Sequence, residues 1–128
     1  MNASTLNRTE VNGGARLDKN RVRLAVVFLI LLTMAAYLPT LSNDFVAYDD
    51  PSYILNCEMV KPGVTLRGLA WAFTAIVAAM WHPLTLIGHM LNCQLFGVNP
   101  GGHHLVSLLL HLANVILFFI LFKIFQFN

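Results

Sequence analysis

The adjacent carboxylates Asp49 and Asp50 are the residues of this sequence best suited to acid–base chemistry. Two neighbouring carboxylates do not ionise independently, because the negative charge of one disfavours the charge of the other. Such a pair suits a general base that removes a proton from a hydroxyl group. It could also bind a divalent cation if Asp44 or Glu58 supplied a further oxygen ligand. The alternative is a solvated turn, since Asp before Pro51 is common in loops.

The histidines form a second pattern, in which two sets of polar residues repeat the same spacing. The members at offsets of 0, 3, 7 and 10 are His82, Thr85, His89 and Asn92 in the first set and His104, Ser107, His111 and Asn114 in the second. At about 100° per residue, each set falls within an arc of roughly 80° on a helix. Polar groups in hydrocarbon need partners, so we expect the two stripes to face each other or a larger bundle. Interhelical hydrogen bonding, the lining of a substrate cavity, and a transition-metal or haem site all remain open.

Composition limits the classes of protein to consider. Of the 128 residues, 57% are hydrophobic and 11% are charged, whereas a soluble domain has about 25% charged residues. Lipid is therefore expected to be the main solvent. The net charge of +2, with no basic tract interleaved with aromatics, argues against nucleic-acid binding. No Gly-rich phosphate loop, serine-hydrolase elbow or zinc-protease motif is present, and the two cysteines have neither metal-ligand nor redox spacing.

The first membrane span is predicted at residues 24–41, an uninterrupted apolar run. At about 1.5 Å per residue it is roughly 27 Å long, close to the thickness of a hydrocarbon core. The basic residues before it should keep the amino-terminal side in the cytoplasm; they are Arg16, Lys19, Arg21 and Arg23. A cleaved signal peptide is the alternative, but its apolar core is about 7–15 residues long, so an uncleaved signal anchor is favoured. Residues 1–20 are predicted to be a disordered cytoplasmic tail.

The rest of the chain is predicted to be an external loop followed by two more spans. Residues 42–68 form the loop, and an amphipathic helix over residues 66–80 is expected to lie in the membrane interface. A short second span is predicted at residues 83–97 and a third at residues 103–127. The fold class is thus all-α and integral to the membrane, with about three spans, an internal N-terminus and an external C-terminus.

Three stretches are distinctive in both content and order: NDFVAYDDPSYILN, then LRGLAWAFT, then WHPLTLIGHMLNCQLFGVNPGGHHLVSLLLHLANVILFF. They resemble the amino-terminal part of bacterial membrane proteins that join a glycosyltransferase-like core to tetratricopeptide repeats. Those proteins are similar to the transmembrane-and-TPR O-mannosyltransferases and, more distantly, to the protein O-mannosyltransferases of the GT-C fold. The resemblance covers about residues 24–127.

The resemblance implies a polyprenyl-phosphate-sugar-dependent transferase in a bacterial inner membrane. In that family an acidic residue of the first external loop activates or positions the acceptor. The matching position is Asp49, with Asp50 beside it in the external loop. His82 would contact the donor phosphate or position the acceptor, Asn56 would fix the loop backbone, and His89 would contribute to substrate binding. The lipid-linked sugar is a substrate, no metal or other resident cofactor is expected, and the partners are membrane lipid, the sugar donor and a protein acceptor.

The chain also departs from this family. Such a fold uses about a dozen spans, whereas three are predicted here, and no repeat array follows. The expectation is therefore a truncated reading frame that is inactive alone, or else a small subunit of a split enzyme. The alternative function is a small non-enzymatic membrane protein whose histidine-bearing helices mediate assembly or bind a metal.

Overall fold

The computed structural model describes residues 19–126, and most of these residues are helical. The elements in chain order are helix α1 (Lys19–Tyr37), a 3₁₀ segment (Leu38–Ser42), a π-helical turn (Pro51–Leu55), and helices α2 (Leu66–Thr74), α3 (Pro83–Phe96) and α4 (Pro100–Gln126). Between residues 19 and 126 there is no β-strand, only one isolated antiparallel bridge. The predicted all-α class is therefore confirmed. The predicted disordered tail lies outside the described residues, except that Lys19 and Asn20 already belong to α1.

Two helical segments are long and apolar enough to cross a membrane: Lys19–Ser42 and Pro100–Phe125. Their apolar side chains are not buried in a protein core, with the exception of Leu108, as the exposed fractions of 64% for Phe28 and 81% for Phe125 illustrate. A core helix of a soluble protein would bury such residues, so their exposure favours lipid as the surrounding medium. The segments agree with the spans predicted at residues 24–41 and 103–127.

The chain divides into two compact units. One consists of Met1–Thr33 and Leu112–Asn128, of which residues 19–33 and 112–126 are described. The other is Met34–His111, which we call the loop unit because it contains the segment between the two long helices. All contacts discussed below lie within the loop unit.

The core of the loop unit forms where α2 and the π-helical turn pack against α3. Its buried members are Tyr53, Ile54, Val60, Ala72, Leu86, Met90 and Cys93. Thr65 precedes helix α2, and its hydroxyl accepts the N–H of Gly68 at 2.9 Å and so caps the first turn. Gly68 also permits close approach of the helices, because a Cβ there would lie 3.1 Å from the sulfur of Met90.

A proline and a glycine set the two ends of helix α3. Pro83 occupies the first turn, where its missing N–H costs no hydrogen bond. Gly97 ends the helix with φ 62° and ψ −146°, a conformation that essentially only glycine adopts. The 14 residues of α3 span about 21 Å, less than the roughly 30 Å of a hydrocarbon core. The second of the three predicted spans is therefore a helix, but its crossing of the membrane is not confirmed.

The segment after α2 differs from the prediction of a single helix over residues 66–80. Helix α2 ends at Thr74, and the chain turns back on itself between Val77 and Met80, which exchange two backbone hydrogen bonds of 3.0 and 2.9 Å. The two residues at the tip, Ala78 and Ala79, have φ values of 48° and 61°. Positive φ at both central positions is the signature of a type I′ hairpin turn.

Candidate functional site

The two aspartates have different environments. Asp50 is half-buried, and its Oδ2 accepts the backbone N–H of Val46 at 2.7 Å. The side chain of Asp49 is exposed, while its backbone carbonyl accepts the N–H groups of Ser52 and Tyr53 at 2.9 and 3.2 Å. These bonds start the π-helical turn directly after the pair. Asp50 therefore fixes the loop, and Asp49 presents a free carboxylate to its surroundings.

Two histidines, His82 and His89, contact Tyr53 and a third, His103, contacts His89; we call these three residues the histidine cluster. The ring of Tyr53 lies 5.1 Å from that of His82 and 6.0 Å from that of His89, measured between centroids. His89 in turn stacks on His103 at 6.2 Å. The cluster thus connects the turn after the aspartates with the start of α3 and the start of α4.

The electrostatic environment of His89 keeps it neutral. Its pKa lies below the ordinary value, first because burial removes the imidazole from water and then because the neighbouring His103 disfavours another positive charge. The Asp50 carboxylate opposes this shift in pKa, and His82 adds to it. His89 is therefore a neutral imidazole at neutral pH, within the electrostatic range of one member of the aspartate pair.

His103 is the member of the cluster that the sequence did not single out. It is buried, and its Nε2 donates to the carbonyl of Gly97 at 3.0 Å, which leaves Nδ1 as an acceptor without a partner among the described residues. The Cys93 sulfur lies 3.9 Å from the same Nε2. Burial raises the pKa of the Cys93 thiol, with a smaller contribution from Cys57, so Cys93 is a neutral thiol and not a nucleophile.

A pocket of about 330 Å³ lies between the segment after α1 and the first turns of α4. It is lined by Tyr37, Thr40, Asn43, Asp44, Val46, His104, Ser107, Leu108 and His111. Its polar groups are hydroxyls, an amide, two imidazoles and one carboxylate, with no lysine or arginine. The Nε2 of His104 is buried without a hydrogen-bond partner in the described part of the chain.

Three of the four members of the polar stripe on α4 thus line a pocket. His104, Ser107 and His111 line it opposite the residues that follow α1, and the ring of His111 meets that of Tyr37 edge-on at 4.8 Å. The spacing predicted that the two stripes face each other or a larger bundle. No ring contact or hydrogen bond joins the two stripes among the described residues, because the offsets fix the face of a helix but not its neighbour, and the larger bundle stays a prediction. His103, one position earlier and about 100° around the helix, makes the contact with α3 instead.

The remaining predicted site residues make few contacts with the histidine cluster or the pocket. Asn56 is exposed, and its backbone N–H, not its side chain, holds the π-helical turn by donating to Pro51 at 2.8 Å. Glu58 pairs with Lys61 at 2.8 Å on the surface. Within residues 19–126, no three His, Cys, Asp or Glu side chains are grouped to hold a metal ion. The structure therefore unites Asp50, His82 and His89 and leaves Asp49 and Asn56 at the exterior.

No protein-family model matches the chain, and no curated protein or solved structure is significantly similar to it. The resemblance described from the sequence therefore stays a prediction, and a function has to be argued from the loop unit itself.

Proposed function

We propose that the chain is part of a membrane glycosyltransferase that takes its sugar from a polyprenyl phosphate, with the loop unit on the external face of a bacterial inner membrane. The observation that carries this proposal is the arrangement of Asp49, Asp50 and the histidine cluster in one unit. That unit begins in one membrane-length helix and ends in the other. The aspartate pair also follows the first membrane-length segment, which ends at Ser42, by only a few residues in the sequence. A lipid-linked donor would present its sugar at such a boundary.

In this proposal the chain crosses the membrane twice, through α1 and α4, and not three times. Basic residues lie at the amino-terminal end of α1, and Lys123 lies in the last turn of α4. Cytoplasmic flanks carry an excess of Lys and Arg, so both ends are assigned to the cytoplasm. Helix α3 then belongs to the external loop, in keeping with its short length and its packing against α2.

The chemistry needs a group that accepts the proton of an acceptor hydroxyl. As the hydroxyl oxygen forms a bond to the anomeric carbon of the sugar, the bond from that carbon to the phosphate oxygen breaks. The electron pair leaves with the polyprenyl phosphate, and the hydroxyl proton passes to a base. The exposed Asp49 carboxylate is suited to this role. Asp50 holds the loop, the half-buried His82 is available to hydrogen-bond substrate, and the buried Nδ1 of His89 has no hydrogen-bond partner among the described residues.

The pocket beside α4 supports a sugar as the recognised group. A pocket of about 330 Å³ is at the lower end of the usual range for small-molecule sites. Most of the pocket surface is apolar, and its amide, imidazoles, one carboxylate and hydroxyls, two of which already donate to backbone carbonyls, are the groups available to hydrogen-bond a sugar ring. An anion would meet no lysine or arginine there and would be repelled by Asp44. We therefore assign the sugar ring, rather than the phosphate, to this pocket.

Binding to the complete chain in lipid nanodiscs tests this function without requiring turnover. The probes are polyprenyl-phosphate mannose and the same polyprenyl phosphate without a sugar, detected by native mass spectrometry. We expect preferential retention of the mannose lipid, at least tenfold weaker retention in Asp44→Asn, and unchanged retention in Asp49→Asn. Glu58→Gln, which alters an exposed carboxylate outside the pocket, is the matched control. Equal retention of both lipids would overturn the proposal.

The alternative of a metal-binding membrane module gains no support from the described residues, because they contain no grouped set of metal ligands. The other form of that alternative, in which the histidine-bearing helices mediate assembly, stays a prediction.

A further inference from the structure

The hairpin after α2 displays a set of large apolar side chains that the core does not use. The exposed fractions are 73% for Ile76, 62% for Trp81 and 79% for Leu84, and Phe73 and Met80 are also exposed. We call these five residues the hairpin surface. They occupy a short stretch of sequence that begins at the end of α2 and ends in the first turn of α3.

Hydrogen bonds fix the backbone of the hairpin that carries this surface. The tip needs two alanines in the left-handed region, which non-glycine residues rarely adopt. Two backbone hydrogen bonds between Val77 and Met80 close the turn, and the hydroxyl of the buried Tyr53 donates to the carbonyl of Val77 at 3.4 Å. The loop unit thus maintains a disfavoured backbone conformation that exposes apolar side chains.

Charge is absent from this part of the chain. Residues 68–122 contain no Asp, Glu, Lys or Arg. On the surface of a soluble protein, exposed apolar residues are normally scattered singly among polar ones. A larger exposed apolar patch marks a contact with another protein or with a membrane. No charged side chain in this stretch opposes the contact of the hairpin surface with an apolar neighbour.

The hydrogen bonding of Trp81 is also compatible with an apolar environment. Its indole N–H donates to the backbone carbonyl of Phe73 at 2.9 Å. A tryptophan without such a partner would carry an unsatisfied donor into lipid, which costs free energy. Here the donor is satisfied within the protein, so the exposed ring can enter an apolar layer without that loss.

We propose that the hairpin surface inserts into the external leaflet of the membrane that α1 and α4 cross, with Trp81 near the level of the headgroups. Lipid is the favoured occupant because the loop unit is continuous in sequence with both membrane-length helices. The backbone groups at the Ala78–Ala79 tip keep the insertion shallow, since they need hydrogen-bond partners that only the headgroup region supplies. This inference depends on the spans and is independent of the proposed transferase activity.

The two tryptophans of the chain allow a direct test, because they occupy different environments. Trp71 is half-buried and packs against the core, whereas Trp81 is exposed. The complete chain is reconstituted in nanodiscs containing lipids brominated near the headgroup or deep in the acyl chain. Trp71→Phe leaves Trp81 as the sole reporter, and Trp81→Phe leaves Trp71. The difference between wild type and Trp81→Phe gives the signal of Trp81 even if Trp71→Phe fails to fold.

We expect headgroup-proximal bromine to quench Trp81 at least twofold more than Trp71, and aqueous iodide to quench Trp81 weakly. Ile76→Ser with Leu84→Ser should reduce the quenching of Trp81 by bromine, while Val98→Ser, an exposed apolar change outside the hairpin surface, should not. Strong quenching of Trp81 by iodide without quenching by bromine would overturn the proposal. Protection of Trp81 from both quenchers would also overturn it, because a second copy or another protein would then cover the surface.

Discussion

The Asp50 carboxylate accepts a hydrogen bond from the backbone N–H of Val46 at 2.7 Å, and this contact separates the roles of the two adjacent aspartates. A carboxylate that holds backbone is less available for proton transfer than one that is exposed. In the loop unit, Asp50 is the structural member and Asp49 the free one.

The first prediction follows from that division. Asp50→Ala should open the loop, at a cost of about 1 kcal/mol for a partly exposed hydrogen bond to a charged group. Asp49→Ala should change stability by no more than about 0.5 kcal/mol, as is usual for a surface substitution. Hydrogen exchange of the Val46 amide measures the effect directly. Equal exchange rates at Val46 in the two variants would contradict the assignment of roles.

The second prediction concerns pH. The pKa of His89 is lowered in the folded chain, so the unfolded chain binds the proton more readily, and stability rises with pH in the window between the two pKa values. This contribution should be complete above about pH 6.5 and should be lost as the pH falls below that value. The measurement is the unfolding midpoint in detergent micelles between pH 7.5 and 5.

His89→Gln provides the comparison for the pH series, because it removes the titrating group while keeping a polar side chain. We expect its unfolding midpoint to fall less steeply below pH 6.5 than that of the wild type. The groups acting on His89 are His103, Asp50 and His82, and all three remain in this variant. Identical profiles for the two proteins would show that His89 does not carry the effect.

The third prediction uses the strained hairpin. Ala79→Gly should stabilise the loop unit by about 1 kcal/mol, because glycine adopts positive φ without the penalty that alanine incurs. Ala70→Gly is the matched control with the opposite expected sign. It lies exposed inside α2, where glycine costs about 1 kcal/mol relative to alanine. Chemical denaturation of the two variants measures both effects, and destabilisation by Ala79→Gly would refute the strained turn.

Much of the helical architecture could be predicted from the sequence because its signals are local. The apolar runs at residues 24–41 and 103–127, the proline at the start of α3 and the glycine at its end are each sufficient to mark a helix or its boundary. The hairpin was missed for the same reason. Alanine favours helices, so Ala78 and Ala79 give no turn signal. The turn is stabilised by the backbone hydrogen bonds between Val77 and Met80 and by contacts with Tyr53 and Phe73.

The candidate site could be predicted only in part. The aspartate pair and the spacing of the histidines are visible as residue types, but their partners depend on how separate elements pack. His103 and His104 are adjacent in sequence, yet one joins the histidine cluster while the other lines the pocket. Asp44, considered only as a possible metal ligand, lies beside that pocket because the chain after α1 folds against α4.

The most direct test of the central claim, an external loop unit between two spans, is the labelling of single cysteines in bacterial cells that express the chain. Cys57 and Cys93 are first replaced by serine, and Tyr48→Cys and Asn128→Cys are made separately in that background. A membrane-impermeant maleimide is added to intact cells and to permeabilised cells. We expect the cysteine at position 48 to react in intact cells and the cysteine at position 128 to react only after permeabilisation. Protection of position 48 in intact cells, or labelling of position 128 in them, would contradict the claim.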